Sequence, residues 1–206
     1  MHEAIDKLKN KKSPGIDGIL NEMLKCGSEV MTPILTKIFN KLLCNGVFPN
    51  YWSHGLITSI FKENNPKDPN NYRGLTLCSC LAKLFTSVLN NRLQKFLVDK
   101  GIIKNEQIGF KKRARTSDHL YVLKTLVDKY TRKNGALHAC FVDFKKAFDK
   151  VWLNGLFYKL QAYGISGNFY KVIKGMYSNI NCSVKIDDVY IHTLFPYTKV
   201  LNRVKF

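Results

Sequence analysis

The segment FVDFKKAFDKVW, residues 141–152, completes an apolar run, LHACFVD, that spans residues 137–143. A short apolar run containing β-branched and aromatic residues suits a buried β-strand. Asp143 closes that run, so its carboxylate would project from a strand end rather than from an open loop. A hard cation such as Mg2+ takes oxygen ligands and keeps several waters, leaving phosphate oxygens to complete its shell. Phosphoryl-transfer sites use such carboxylates to hold two ions against the attacking and leaving oxygens. One Asp cannot do this alone, and the plainer alternative is a turn or helix-capping carboxylate.

On the N-terminal side, Ile34, Leu35, Ile38, Phe39, Leu42 and Leu43 follow helical spacing over residues 29–45, with Gly46 as the stop. Residues 55–61, GLITSIF, read as a short strand, followed by the turn-rich loop KENNPKDPNN. Leu81, Leu84, Phe85, Val88, Leu89, Leu93, Phe96 and Leu97 mark a longer helix whose outer face carries Lys83, Arg92 and Lys95. A third helix opens near Ser117-Asp118 and turns Leu120, Leu123, Leu126, Val127 and Tyr130 inward. Beyond the central segment, helices over 155–163 and 168–178 are separated by Gly164 and Gly167. Residues 182–191 suit a hairpin turning at Asp187-Asp188. Helices and strands mix without a regular βαβ repeat, which favours an α+β domain.

The charge balance narrows the partner. Among 206 residues, 33 Lys and Arg stand against 15 Asp and Glu, a net charge of +18. Such an excess attracts polyanions, and neutralising phosphates releases counterions. Nucleic acid is the leading partner; a generic basic surface or an anionic membrane is the alternative. The cysteines, Cys26, Cys44, Cys78, Cys80, Cys140 and Cys182, lie among apolar residues without CxxC spacing. They suggest neither a zinc site nor a disulfide framework, but free, mostly buried thiols in a reducing compartment. No apolar leader opens the sequence and no run is long enough to span a bilayer. Cytosol or nucleus, with no membrane partner, is the expectation.

FVDFKKAFD closely resembles the first palm motif of LINE-type (non-LTR) reverse transcriptases, an apolar strand followed by a D-x-x-K-A-F-D core. That resemblance implies that Asp143 is a catalytic Mg2+ ligand. It implies that Phe148 lies beneath the incoming sugar, where a ribose 2′-OH would clash; Asp149 belongs to the same motif but reads as structural, a cap for the helix that begins near Val151. KKSPGIDGILNEMLK (11–25) is similar to the family's N-terminal extension, physically a Pro/Gly turn into a helix. Residues 48–93 look like the first fingers motif, with Lys62 and Arg73 where the nucleotide triphosphate is held. Arg offers a planar fork to phosphate and Lys a compact charge; read without the family, both are solvated surface cations. NEQIGFKKRARTSDHLYVLKTLV (105–127) resembles the second fingers motif, with Gln107, Gly109 and Phe110 at its core. The resemblance lays it along template and nucleotide. Gly109 would permit close backbone approach, while Lys111, Lys112, Arg113 and Arg115 add charge without sequence preference; a plain basic loop is the alternative. Residues 164–186 continue as the family does, a helix leading to a returning strand.

The resemblance therefore implies fingers and a partial palm of a right-hand polymerase. The expected organisation is an N-terminal extension and fingers over 1–135, the first part of the palm over 136–198 and a divergent tail over 199–206. Segments KSPGIDG and YRGLTL favour the LINE type over group II intron maturases and telomerases. The intact parent would transfer nucleotides from dNTP onto a primer, with RNA and DNA as template-primer and Mg2+ as cofactor. Departures exist. FPYTKV (195–200) runs into LNRVKF instead of a Gln-Gly loop, no Tyr/Phe-Ala-Asp-Asp occurs, and Asp187-Asp188 reads as a hairpin turn. Phe61 precedes Lys62 and Gly74 follows Arg73 where the family favours Pro. The chain is thus expected to be a polymerase fragment, inactive alone and short of strands to pair with the Asp143 strand. A non-catalytic nucleic-acid-binding module, or a decayed retrotransposon remnant, is the rival reading.

Overall fold

The computed structural model describes residues 1–68, 71–111, 114–132, 135–144, 151–186 and 189–196; for Arg73, Ile186 and 189–196 it describes the backbone only. The chain divides into two compact units, residues 1–93 with 146–206, and residues 94–145. The first unit opens with helices α1 (His2–Asp6), α2 (Asn21–Cys26) and α3 (Ser28–Asn45). A 3-10 turn over Asn50–Ser53 leads into strands β1 (His54–Phe61) and β2 (Tyr72–Leu77), then helix α4 (Cys80–Asp99), within which the boundary between the units falls. Helices α6 (Leu153–Ala162) and α7 (Gly167–Met176) and strands β3 (Asn181–Ile186) and β4 (Val189–Pro196) complete it. The second unit contains α5 (Thr116–Thr131).

Local chemistry explains most of these boundaries. Gly46 sits in the left-handed region at φ 69, and the Gly46 and Val47 N–H groups donate to Leu43 and Leu42 carbonyls, closing α3. The Ser79 hydroxyl accepts the Ala82 N–H at 3.3 Å and starts α4. The Asp118 carboxylate accepts the Arg115 N–H at 2.8 Å and starts α5. The core gathers Leu35 and Phe39 of α3, Leu84, Phe85 and Leu89 of α4 and Val172 of α7, with Ile5, Leu24 and Phe48. At its centre four rings meet. Phe39 lies 4.8 Å from Phe85 and 6.0 Å from Trp52, and Phe48 lies 5.8 Å from Trp52. Offset and edge-on ring pairs of this kind add about 0.5–1.5 kcal/mol each beyond area burial.

The SPGIDG turn docks onto this core by backbone. A Cβ on buried Gly15 would stand 2.6 Å from the Ser79 nitrogen and 2.7 Å from the Cys78 carbonyl carbon, so only glycine fits. The Gly18 N–H closes the turn onto the Gly15 carbonyl at 3.1 Å, and the Asp17 carboxylate accepts the Ile19 N–H. The sheet order is β2-β1-β3-β4. β1 pairs antiparallel with β2 and parallel with β3, and β3 pairs antiparallel with β4, with an irregularity between Cys182 and Val184. The helices and hairpin expected over 29–45, 155–163, 168–178 and 182–191 are present with boundaries moved by a few residues, and Ile186 pairs with Val189 across the final turn. Asp187-Asp188 itself, Asp149 and the tail from 197 lie outside the described residues. A mixed α and β chain is what the sequence predicts at this coarse level.

Three expectations fail. Residues 137–143 form no strand: the run is exposed, with Phe141 81%, Val142 74% and Phe144 74% accessible. An apolar run becomes a strand only when neighbouring backbone takes its N–H and C=O groups, and hydropathy alone cannot supply that neighbour. Helix α5 forms, yet none of its residues is buried; Leu120, Leu126, Val127 and Tyr130 are exposed and Leu123 is half-buried. Its periodicity defines an apolar stripe but not what covers it. Finally, only Cys80 and Cys182 are buried; Cys26, Cys44 and Cys140 are exposed, because sequence neighbours are not spatial neighbours. Among the expected outer-face cations of α4, Arg92 and Lys95 are exposed and Lys83 is half-buried.

Urea denaturation distinguishes these environments. Phe85→Ala removes a ring from the central cluster and lowers stability by about 3–5 kcal/mol. Gly15→Ala presses a methyl on backbone and costs about 1–3 kcal/mol. Leu120→Ala on the exposed α5 stripe changes stability by less than about 0.5 kcal/mol; a loss matching that of Phe85→Ala would mean the stripe is covered.

Candidate functional site

The β1–β2 hairpin carries the first pair of candidates. Phe61 pairs with Tyr72, and their rings lie 5.4 Å apart. One step outward, the Lys62 N–H donates to the Asn71 carbonyl at 2.9 Å, extending the ladder past the strand end. Arg73 pairs with Ile60. Lys62, one residue past β1, and Arg73 on β2, eleven positions apart in sequence, therefore stand within two ladder steps of each other. The loop between them is tied to itself: the Asn71 amide donates to the Asn65 carbonyl, the Tyr72 hydroxyl donates to the Pro66 carbonyl, and Asn65 accepts the Lys67 N–H. β1 becomes progressively exposed toward this end, and Lys62 is exposed.

The second group lies in the second unit. The Gln107 N–H donates to the Lys104 carbonyl and the Lys111 N–H to the Ile108 carbonyl, so residues 104–111 form two successive turns. Phe110 sits at φ 63 with its ring 80% exposed, an uncommon conformation for a bulky residue. The Lys111 ammonium donates to the Asn105 side chain at 3.1 Å. Among the described residues nothing lies within 4 Å of where a Gly109 Cβ would be. Arg115, exposed, heads α5. Gln107, Gly109, Phe110, Lys111 and Arg115 thus share one exposed stretch, while Lys112, Arg113 and Phe148 lie outside the described residues.

Asp143 is exposed in the irregular run of residues 135–144. Among the described residues no group of three or more His, Cys, Asp or Glu gathers in metal-binding proximity. A hard divalent cation takes about six oxygens, and a two-ion site needs more than one carboxylate. The described residues therefore do not fit a Mg2+ pair, and no step through such ions follows from them. Among the described residues, no helix is long and apolar enough to cross a membrane.

Residues 62–197 match the family Reverse transcriptase (RNA-dependent DNA polymerase). The chain belongs to the reverse transcriptase family. Its similarity runs to enzymes of non-LTR retrotransposons. It is 32% identical over 190 residues to the probable RNA-directed DNA polymerase from transposon BS of Drosophila melanogaster, covering 91% of this chain and 21% of that one. It is 30% identical over 186 residues to the RNA-directed DNA polymerase from mobile element jockey of Drosophila funebris, covering 90% and 20%. A putative 115 kDa protein in the type-1 retrotransposable element R1DM of Drosophila melanogaster is 27% identical over 150 residues, covering 72% and 14%. The chain thus spans about a fifth of the length of the first two of these reverse transcriptase relatives. The family is generally Mg2+-dependent, whereas no metal site is present among the described residues of this member.

Sequence reasoning passed over one polar contact inside the sheet. His54, at the start of β1, lies with its Nε2 2.9 Å from the hydroxyl of Ser183 in β3, which is 2% exposed. The pair joins strands 129 residues apart in sequence, and a histidine opening an apolar strand gives no signal of it. Burial lowers the His54 pKa. The unfolded chain therefore binds this proton more readily than the folded one, so stability falls as pH drops below about 6.5, the ordinary histidine value. His54→Gln is expected to flatten the dependence of the urea midpoint between pH 7 and 5; an unchanged slope would assign it to other groups. The Cys182 thiol, pushed up to about 11 by burial, stays protonated across that range.

Proposed function

We propose that this chain forms the fingers and the first part of the palm of an RNA-directed DNA polymerase, residues 1–135 and 136–198 respectively, and binds template and nucleotide without completing catalysis alone. The observation that carries the reading is the β1–β2 register, which sets Lys62, just past β1, within two ladder steps of Arg73 on β2 at the start of the family-matched region. Two cations at such spacing suit the triphosphate of a dNTP, the ammonium as a point charge and the guanidinium as a two-pronged donor. The basic, exposed stretch around Phe110, Lys111 and Arg115 suits a nucleic-acid backbone, with Gln107 and Gly109 beside it; Lys112 and Arg113 extend that charge in sequence. Asp143 is proposed as one carboxylate of the metal site in the whole parent, with Phe148 as the ring that disfavours ribose. The parent's nucleotidyl transfer, its Mg2+ requirement and its RNA and DNA partners belong to this proposal, as does a cytoplasmic or nuclear location.

A second reading, nucleic-acid binding without chemistry, is favoured by the exposure of Asp143 and by the lack, among the described residues, of any group of three or more His, Cys, Asp or Glu around it. Both readings predict binding of a labelled single-stranded RNA whose log affinity falls linearly with log salt. Lys111→Ala and Arg115→Ala are each expected to reduce that slope by about 0.7, the single-strand value per phosphate; a salt-independent affinity would refute both readings. Templated extension with Mg2+ and dNTP is expected to be absent from the 206 residues alone, and extension abolished by Asp143→Ala would show a complete site. Loss of one charge-assisted contact worth about 1.5–3 kcal/mol implies at least a tenfold weaker affinity for a fluorescent dNTP in Lys62→Ala or Arg73→Ala. Unchanged nucleotide affinity in both would remove them from the site and leave the binding module.

A further inference from the structure

We propose that the α6–α7 face is a second single-stranded nucleic-acid surface, with Trp152 as its stacking platform. The proposal rests on the reading that the chain handles nucleic acid, but uses none of the residues assigned above. Trp152 is the residue before α6, and its carbonyl accepts the Leu156 N–H at 3.0 Å. Its indole lies against Gly155 so closely that a Cβ there would be 2.4 Å from the ring. The side chain is nevertheless 75% exposed. One face of the indole is thus seated on the helix while most of the ring meets solvent. Base stacking needs a ring already held flat, and every base offers a π-face to it.

The composition of the segment fits a polyanion. Residues 151–186 contain Lys159, Lys171, Lys174 and Lys185 and no Asp or Glu. α7 turns Phe169, Val172, Ile173 and Met176 to the core and docks on α6 through Phe157, whose ring lies 6.3 Å from Tyr170 and 5.8 Å from Tyr177. Helical geometry then directs Lys171 and Lys174 outward, and both are exposed, as are Tyr158, at 73%, and Lys159 on α6. An anionic membrane is the competing polyanion. A membrane-surface helix buries Leu, Ile or Phe from one face, but the large apolar side chain that α6 and α7 expose is Tyr158 alone. Over the described residues 151–185 the exposed large hydrophobic side chains are the rings of Trp152, Tyr158 and Tyr163 with Val151 as a single aliphatic, and rings outnumbering aliphatic side chains among lysines match the stacking-plus-phosphate chemistry of single strands.

The chain has two tryptophans, Trp52 in the ring cluster and Trp152 on this face, so the intact protein carries its own reporter. Titration with a short oligouridylate is expected to quench the tryptophan emission saturably, and Trp152→Phe should abolish that quenching while leaving circular dichroism unchanged. Trp152→Ala should weaken the oligouridylate affinity, measured by anisotropy, about fivefold or more, the lower end for one stacked base. Lys111→Ala with Arg115→Ala should lower affinity yet preserve the quenching. Oligouridylate binding with no Trp152-dependent quenching and no effect of Trp152→Ala would overturn this inference while leaving the proposed function intact. Absence of any oligouridylate binding would overturn both. Quenching by phosphatidylserine vesicles but not by oligouridylate would assign the face to a membrane and overturn it as well.

Discussion

The close meeting of Phe39, Phe48, Trp52 and Phe85 is the contact on which the first unit depends. Phe39 arrives on α3, Phe85 on α4, and Phe48 and Trp52 on the connection into β1. A single cluster therefore ties the long N-terminal helix to the start of the sheet and to the helix that follows β2. Because the rings approach from separate elements, each fixes the others' direction, and α7 then packs Val172 against the same core. Gly15 extends the arrangement to the N-terminal turn by letting backbone lie on backbone at Cys78 and Ser79.

From this frame the hairpin projects toward solvent. β1 is buried at Gly55 and Leu56 and exposed from Ser59 onward. Its inner end is anchored by the core and by β3, and its outer end presents Lys62 beside the Arg73 strand. Such a layout suits charge presentation, since an ammonium near solvent keeps its charge without the desolvation penalty of a buried site. The second unit follows different physics. Its helix and its 135–144 run expose apolar side chains, and no residue of α5 is buried.

Charge is distributed unevenly along the chain, and that distribution carries functional meaning that the total does not. Residues 151–186, which hold α6 and α7, contain no Asp or Glu, whereas the N-terminal helices mix both signs. A net charge of +18 alone indicates attraction to polyanions. Which face meets one follows from where the neutralising carboxylates are missing and where rings lie open.

Much of this was legible in the residues themselves. Helical spacing marked α3, α4, α6 and α7, Gly46 marked a helix end, and turn chemistry marked the loop after β1 and the final hairpin, because these features depend on neighbours within a few positions. The ordered motifs from SPGIDG to FVDFKKAFD pointed to the reverse transcriptase family that the comparison with known proteins establishes. Tertiary structure alone decided the rest. The identical apolar logic that correctly buried Leu84 and Phe85 misjudged Leu120 and Phe141, since amphipathicity states that a face needs cover and not whether cover exists. The register that sets Lys62 near Arg73, the His54–Ser183 contact and the seat of Trp152 on Gly155 join residues through space. Local sequence encodes propensity and periodicity, whereas these contacts depend on which backbones come to lie side by side.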